Sequence, residues 1–191
     1  MTDMSKRVFK PGCMLAPVPA ALISCIDKEG KSNLITLGWV GTVNSEPPMV
    51  SISVRESRYS YHMIEETGEF VINLVTEEMA EMVDKCGVIS GAKFDKWKES
   101  GFTPEKADKV STPLVAQSPV NLECRVTEKK NLGSHVMFLA EVVAVDVDER
   151  YFDEKDRLNM DDMRLVAYCH GSYMSLDRVL GTFGYSVKKN K

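Results

Sequence analysis

The chain has 191 residues, 43% of them hydrophobic and 27% charged, with a net charge of −4. This balance predicts a globular domain with a real core, and the lack of a long basic block excludes a nucleic-acid partner held through phosphate contacts. No apolar run reaches the ~18 residues of a membrane span, and Met1 to Lys10 has no apolar signal-peptide core, so the expected compartment is the cytoplasm.

In chain order, Ala21 to Ile26 reads as a short strand that stops at the turn Asp27-Lys28-Glu29-Gly30. Asn33 to Val43 is a mixed apolar stretch whose Gly38 and Gly41 suit close backbone approach or a bulge. Glu46-Pro47-Pro48 breaks regular structure. In the next strand, Val50, Ile52 and Val54 form a core face, and Ser51 and Ser53 form a small polar face suited to a covering group. Tyr59 to Thr67 turns helical, with Tyr59, Met63 and Ile64 on one face and Ser60, Glu65 and Glu66 elsewhere, and Gly68 is its stop.

Phe70 to Val75 returns to strand. Thr76 is the predicted N-cap of a helix to Cys86, lined by Met79, Met82, Val83 and Cys86 and ended by Gly87. Ser90 opens a short helical piece containing Phe94 and Trp97, closed by Ser100-Gly101. Val120, Leu122, Cys124 and Val126 alternate with Asn121, Glu123, Arg125 and Thr127, as in a half-buried strand. Glu128 to Gly133 reads as a hairpin turn and His135 to Asp148 as its return strand. Tyr151 to Arg164 is a charged, exposed excursion, Leu165 to Tyr173 a last strand, and Lys188 to Lys191 a basic, frayed tail. Many antiparallel strands without βαβ alternation predict an α+β fold with a barrel core decorated by short helices.

Several familiar chemistries find no support. No G-x-G-x-x-G opens a βαβ unit, Gly87 to Gly91 is not a P-loop, and neither G-x-S-x-G nor H-E-x-x-H occurs. His62, His135 and His170 are far apart and read as structural. The acidic runs at Asp153 to Asp156 and Asp161-Asp162 read as solvated loop, so no metal site is assigned. The five cysteines form no C-x-x-C pair and read mainly as small buried hydrophobes.

The most informative stretch is Arg55 to Ser60, R-E-S-R-Y-S, where a strand hands over to a helix. A helix start leaves backbone N–H groups unpaired and carries partial positive charge. Two guanidinium groups and two hydroxyls there suit a phosphate. The bland alternative is a solvated loop in which Ser57 caps the helix and both arginines form surface ion pairs; the cluster alone does not choose between them. Upstream, Asn33, Thr36, Leu37, Gly38 and Trp39 gather an amide, a hydroxyl, free backbone and an aromatic plane, groups that grip a flat heteroaromatic ring.

The run N-L-I-T-L-G-W-V-G-T-V-N-S-E-P-P-M-V-S-I-S-V-R-E-S-R-Y-S-Y-H-M-I-E-E-T-G-E-F-V-I-N-L resembles the flavin reductase-like family, the FMN-binding split β-barrel proteins that include flavoredoxin. The segment S-G-A-K-F-D-K-W from Ser90 resembles the family's S-G-x-x-x-D-K-F, with Trp97 in place of Phe. Gly101-Phe102-Thr103 resembles the G-L-T that follows it. The likeness spans Pro17 to Val147.

It implies an antiparallel, Greek-key split barrel, one domain over 1–191 with a core of 15–150 and an extension at 151–191 that completes the barrel and the dimer. It also implies non-covalent FMN in a homodimer. By position, Arg55, Ser57, Arg58, Tyr59 and Ser60 would hold the phosphate end. Asn33, Thr36, Leu37, Gly38 and Trp39 would border the isoalloxazine, while Ser90, Gly91, Lys93 and Phe94 would close over it or form the rim. For that last group the alternative is a capped helix with Phe94 in the core. The expected activity is NAD(P)H-dependent reduction of flavin or another acceptor through FMN, with NADH or NADPH as partner and no catalytic side chain. The alternatives are an electron carrier of the flavoredoxin kind, docking a redox protein without nicotinamide, and a non-redox FMN-binding module.

Overall fold

A computed structural model describes residues 5–187; the basic tail at Lys188 to Lys191 lies outside them. Strand β1 at Val18–Pro19, which pairs with the later β11, and β2 at Ala21–Ile26 lead into β3 at Ser32–Leu37, β4 at Val40–Ser45 and β5 at Pro48–Val54. Helix α1 spans Tyr59–Thr67 and is followed by β6 at Glu69–Leu74, α2 at Ala80–Val88 and α3 at Lys96–Ser100. Short strands β7 at Pro104–Glu105 and β8 at Leu114–Val115 precede the long hairpin β9 at Val120–Asn131 and β10 at Val136–Val147. A final hairpin pairs β11 at Val166–Cys169 with β12 at Ser172–Ser175.

Seven strands form one sheet in the order β3-β2-β6-β9-β10-β5-β4, every pairing antiparallel. Its two edges, β3 and β4, are consecutive in the chain and separated only by Gly38 and Trp39. A sheet whose edges share so short a link must curl, and bulges in β9/β10 and β4/β5 help it bend. The corner is tied down where Ser53 N donates to Trp39 O at 2.9 Å. The result is the expected antiparallel split barrel with short helices.

The barrel interior follows the period-two pattern of its strands. Ile23, Cys25, Ile35, Ile52, Val54, Phe70, Ile72 and Phe138 fill it, and Tyr61, Met63 and Ile64 of α1 close one end. Each large side chain so buried contributes roughly 1.5–3 kcal/mol. The outward faces of β2 and β3 are covered as well. Leu22 and Leu34 pack under Met79, which precedes α2, Val83 and Cys86 of α2 and Trp97 of α3. Burial on both faces explains why Ala21 to Cys25 is buried without alternation.

Helix α1 has the predicted limits because Gly68 adopts a left-handed conformation, φ 69°, and its N–H reaches Ile64 O. Its faces differ from expectation: Ser60 and Tyr61 are buried with Met63 and Ile64, and Tyr59 is half-buried. Thr76 precedes only a single turn, its hydroxyl caps nothing, and α2 runs through Gly87 to Val88. Leu165 to Tyr173 is two strands, turned by His170 (φ 52°) and Gly171 (φ 94°). β9 continues through the expected turn to Asn131.

β9 is also not half-buried along its first half, since Asn121 and Glu123 are buried too. Their face is covered by residues 104–115. Asn121 Nδ2 donates to Asn73 Oδ1 at 2.7 Å, and Asn73 Oδ1 accepts from Val115 N at 3.0 Å. Glu123, fully buried, accepts from the N–H groups of Asp108, Lys109 and Val110 at 2.8, 2.6 and 2.9 Å. That carboxylate holds the covering loop in place of solvent. Met163, inside the charged excursion, is buried as well.

Candidate functional site

β3, the β5–α1 junction and the α2–α3 connection converge on one cavity of about 500 Å³. Of the expected residues, Asn33, Arg55, Ser57, Arg58, Tyr59, Ser60, Ser90 and Gly91 line it. Ile35, Gly87, Ile89 and Lys96 complete the wall, and none of the lining residues is a carboxylate.

The junction is built as a helix start left open. Arg58 is the N-cap residue of α1, and its side chain makes no capping hydrogen bond. Ser57 does not cap the helix, which removes one half of the bland reading. The other half also fails: among the described residues, the side chains of Arg55 and Arg58 appear in no ion pair, unlike Arg125, Arg150, Arg157 and Arg164. The uncapped turn and two unpaired guanidinium groups therefore face the same space.

Lys96 adds a third cation that sequence reasoning placed only inside a motif. It is 4% exposed and its Nζ donates to Cys86 O at 2.6 Å. Burial pushes its pKa below the usual lysine value, and the charge of Arg58 pushes the same way, partly offset by the neighbouring Cys86 and Cys25. A buried ammonium with one carbonyl for a partner is a strong anion attractor.

The back wall is fixed by polar contacts. Asn33 Nδ2 donates to Ser60 Oγ at 2.8 Å, locking β3 to α1. Gly91 lies so close to Asn33 that a Cβ there would sit 2.3 Å from Oδ1. Thr36 Oγ1 donates to Val83 O, tying β3 to α2. Lys31 Nζ donates to the Tyr59 hydroxyl at 2.9 Å and lies 5.1 Å from the ring centre.

The cavity continues along β3. Thr36, Leu37, Gly38 and Trp39 line a hollow of about 210 Å³ that shares Arg55, Arg58 and Ile35 with it and includes His135. Burial, then Arg55, pushes the His135 pKa below the ordinary 6.5. The same four residues border a further hollow of about 290 Å³ walled by Gly87, Asp84, Tyr168 and Tyr173. The two tyrosine rings meet edge to face at 5.5 Å. Tyr168 and Tyr173 were missed because the resemblance and the ring-gripping pattern both stopped short of the last hairpin, and His135 because it read as structural. Gly38 lies against the last hairpin: a Cβ there would make ordinary contact with Val18 Cγ2 at 3.4 Å and Tyr168 Cδ1 at 3.7 Å.

Lys93 and Phe94 are not brought into the anion cavity. They line a neighbouring cavity of about 450 Å³, and Phe94 is 46% exposed rather than part of the core. No group of three or more His, Cys, Asp or Glu among the described residues could hold a metal ion. Nor is any helix among them long and apolar enough to cross a membrane.

A split antiparallel barrel whose cation-lined cavity continues into a groove along β3 places the chain among the split-barrel proteins. The flavin reductase like domain matches residues 14–177, and the chain belongs to that family. Its fold is similar to flavoredoxin of Desulfovibrio vulgaris (Miyazaki F), with TM-score 0.89 and 24% identity over 96% of this chain and 100% of that one. Flavoredoxin from Methanosarcina acetivorans gives TM-score 0.86 and 28% identity over 95% and 97%. The FMN-binding protein from Thermus thermophilus, solved with bound 1-cyclohex-2-enone, gives TM-score 0.73 and 21% identity over 92% and 96%.

Proposed function

We propose that the protein is an FMN-binding flavoprotein oxidoreductase that takes electrons from NADH or NADPH and passes them to flavin or another small acceptor. The observation that carries this reading is the convergence of Arg55, Arg58 and Lys96 on one carboxylate-free cavity that runs into the Thr36 to Trp39 groove. A phosphate monoester fits that trio, the open turn of α1 and the hydroxyls of Ser57, Ser60 and Ser90. The groove then takes a flat ring, running along Thr36 to Trp39 toward Tyr168 and Tyr173.

FMN supplies the redox chemistry when bound. The chain's own part is orientation and exclusion. Arg55, Arg58 and Lys96 fix the anionic end, and Asn33, itself held by Ser60, presents a rigid amide. Thr36 is committed to Val83 and so stiffens the strand under the ring. Trp39, Tyr168 and Tyr173 limit water at the far end. No acid–base side chain is required, and protein donors near the ring raise its electron affinity by stabilising negative charge there. A homodimer in the cytoplasm, formed from single-domain chains, completes the proposal.

A second reading is favoured by the likeness to two flavoredoxins: an electron carrier that meets a redox protein and uses no nicotinamide. Anaerobic stopped-flow mixing of the flavin-loaded protein with NADH and then NADPH separates them. Loss of the oxidised-flavin absorbance with either one supports the reductase. Persistence with both, alongside bleaching by dithionite, supports the carrier. Failure of flavin-free protein to bind FMN overturns both.

A further inference from the structure

Residues 104–115 cross one face of β6, β9 and β10 as a strap, and two kinds of contact fix it. Its ends are held by neutral groups. Pro104 and Glu105 pair with Val115 and Leu114, Ser24 Oγ donates to Pro113 O at 2.6 Å, and Val115 N donates to Asn73 Oδ1 at 3.0 Å. Its middle is held by carboxylates. Glu123 takes the N–H groups of Asp108, Lys109 and Val110, and Glu69 Oε2 takes that of Ser111 at 2.7 Å. The apolar contact beneath is small, with Ala107, Val110 and Leu114 meeting Val71 and Val143.

Asp146 of β10 joins these carboxylates. Its partner across β9 is Asn121, one step along the same face from Glu123. Asp146 Oδ2 is buried with no hydrogen-bond partner, a costly position for a bare carboxylate oxygen. A proton on Asp146 removes that cost, because the acid then donates to Glu123, the group it hydrogen-bonds. The charges bearing on Asp146 are negative: Glu123 on β9, and Asp108 and Glu105 on the strap. The nearby cations are engaged elsewhere. Lys109 Nζ lies 2.7 Å from Asp108 Oδ2, Lys106 also acts on Asp108, and Arg125 reaches Lys109 O and, at 3.6 Å, Glu69 Oε1.

We propose that residues 104–115 are a proton-operated strap: the proton that Asp146 shares with Glu123 keeps the strap's middle shut, and its loss frees that middle from the sheet while the barrel stays folded. The neutral contacts at 113–115 remain as the hinge. This goes beyond the flavin reading and does not depend on it. The direction follows from the Asp146 carboxyl, raised from 3.8 to about 6 by burial first and by Glu123 next. Opening returns it toward the ordinary value, so protons favour the shut strap and opening grows with pH. A carboxyl moving between 3.8 and about 6 raises the opening constant about tenfold from pH 5 to pH 7.5.

The test is amide hydrogen exchange of the full chain, corrected for the intrinsic rate at each pH. In wild type the amides of Asp108, Lys109 and Val110 lose about tenfold in protection between those pH values. They also stay at least about tenfold less protected than the amides of β6, which marks opening short of global unfolding. Asp146→Asn, which sets an uncharged donor against Glu123, holds their protection constant. Carboxyl 13C NMR of wild type gives Asp146 a midpoint of about 6, a readout that needs no variant. Strap protection that is flat with pH, equal to that of β6, or still pH-dependent in Asp146→Asn overturns the proposal. So does an Asp146 midpoint at the ordinary 3.8.

Discussion

Replacing Gly91 by alanine would place a methyl group 2.3 Å from Asn33 Oδ1, 2.6 Å from its Cγ and 2.8 Å from Nδ2. The amide cannot swing away freely. Asn33 is 3% exposed on a central run of β3 and donates to Ser60 Oγ at 2.8 Å. Breaking that bond in a buried setting costs about 1–3 kcal/mol, and overpacking adds ~1–3 kcal/mol. Gly91→Ala should therefore lower the unfolding free energy by about 2–4 kcal/mol, since part of the strain relaxes.

The assay is urea denaturation of a double-mutant cycle with Asn33→Ala, which removes the obstructing amide. In that background the methyl has space, so Gly91→Ala should cost under ~1 kcal/mol, leaving a coupling of at least about 1 kcal/mol. Equal costs in both backgrounds would refute the steric argument. So would a single variant as stable as wild type.

Arg58→Ala should weaken FMN binding by about 1.5–3 kcal/mol, or roughly 10- to 150-fold, through loss of a charge-assisted contact. Titration of flavin-free protein with unchanged affinity would remove Arg58 from the phosphate seat. The Asp146 carboxyl is pushed up from 3.8 to about 6, first by burial and then by the charge of Glu123. A raised carboxyl favours the fold when protonated, so its contribution is whole below pH 3.8 and is lost as pH rises through about 6. The stability advantage of wild type over Asp146→Asn should shrink across that window in urea titrations, and a flat difference would exclude the effect. Burial pushes the Cys25 and Cys124 thiols up to about 12, while Cys13 is exposed and Cys169 half-buried. A native protein treated with a thiol reagent should react first at Cys13, then Cys169, with Cys25, Cys86 and Cys124 labelled only after denaturation. Labelling of Cys25 at the rate of Cys13 would contradict its burial.

What the sequence made legible was local. Val50, Ile52 and Val54 alternate because one side of β5 meets the barrel interior, and Gly68 stops α1 because only its backbone turns left-handed without strain. The residues misread were those whose surroundings come from elsewhere in the chain. Asn121 and Glu123 look like a solvent face until residues 104–115 fold over them. Ser60 looks like surface until Asn33, distant in sequence, claims its hydroxyl. Lys96 is buried because α3 lays it against the end of α2 at Cys86, which no periodicity announces. The anion seat was visible as a cluster at Arg55 to Ser60. Its continuation to Tyr168 and Tyr173 was not, because a single run of alternating residues hid the turn at His170-Gly171.

The charge distribution connects the stability of this fold to its site. The chain carries 28 acidic against 24 basic residues, and its cations are often matched: Lys129 lies 2.5 Å from Glu65, Lys85 2.9 Å from Glu99, Arg157 2.7 Å from Asp153. The anion cavity departs from that habit, with Arg55, Arg58 and Lys96 and no carboxylate. Three like charges around one space repel, and the depressed pKa of Lys96 records the burial and repulsion it bears without a ligand. A dianion bound there, as proposed, would offset the repulsion, and a ligand that binds only the folded chain stabilises it by about 2.7 kcal/mol at a hundred times its dissociation constant. A paired, carboxylate-lined cavity would have been more stable empty and would have repelled the ligand. Affinity at this site and the strain of the ligand-free chain are therefore a single property, set by which charges the fold leaves unpaired.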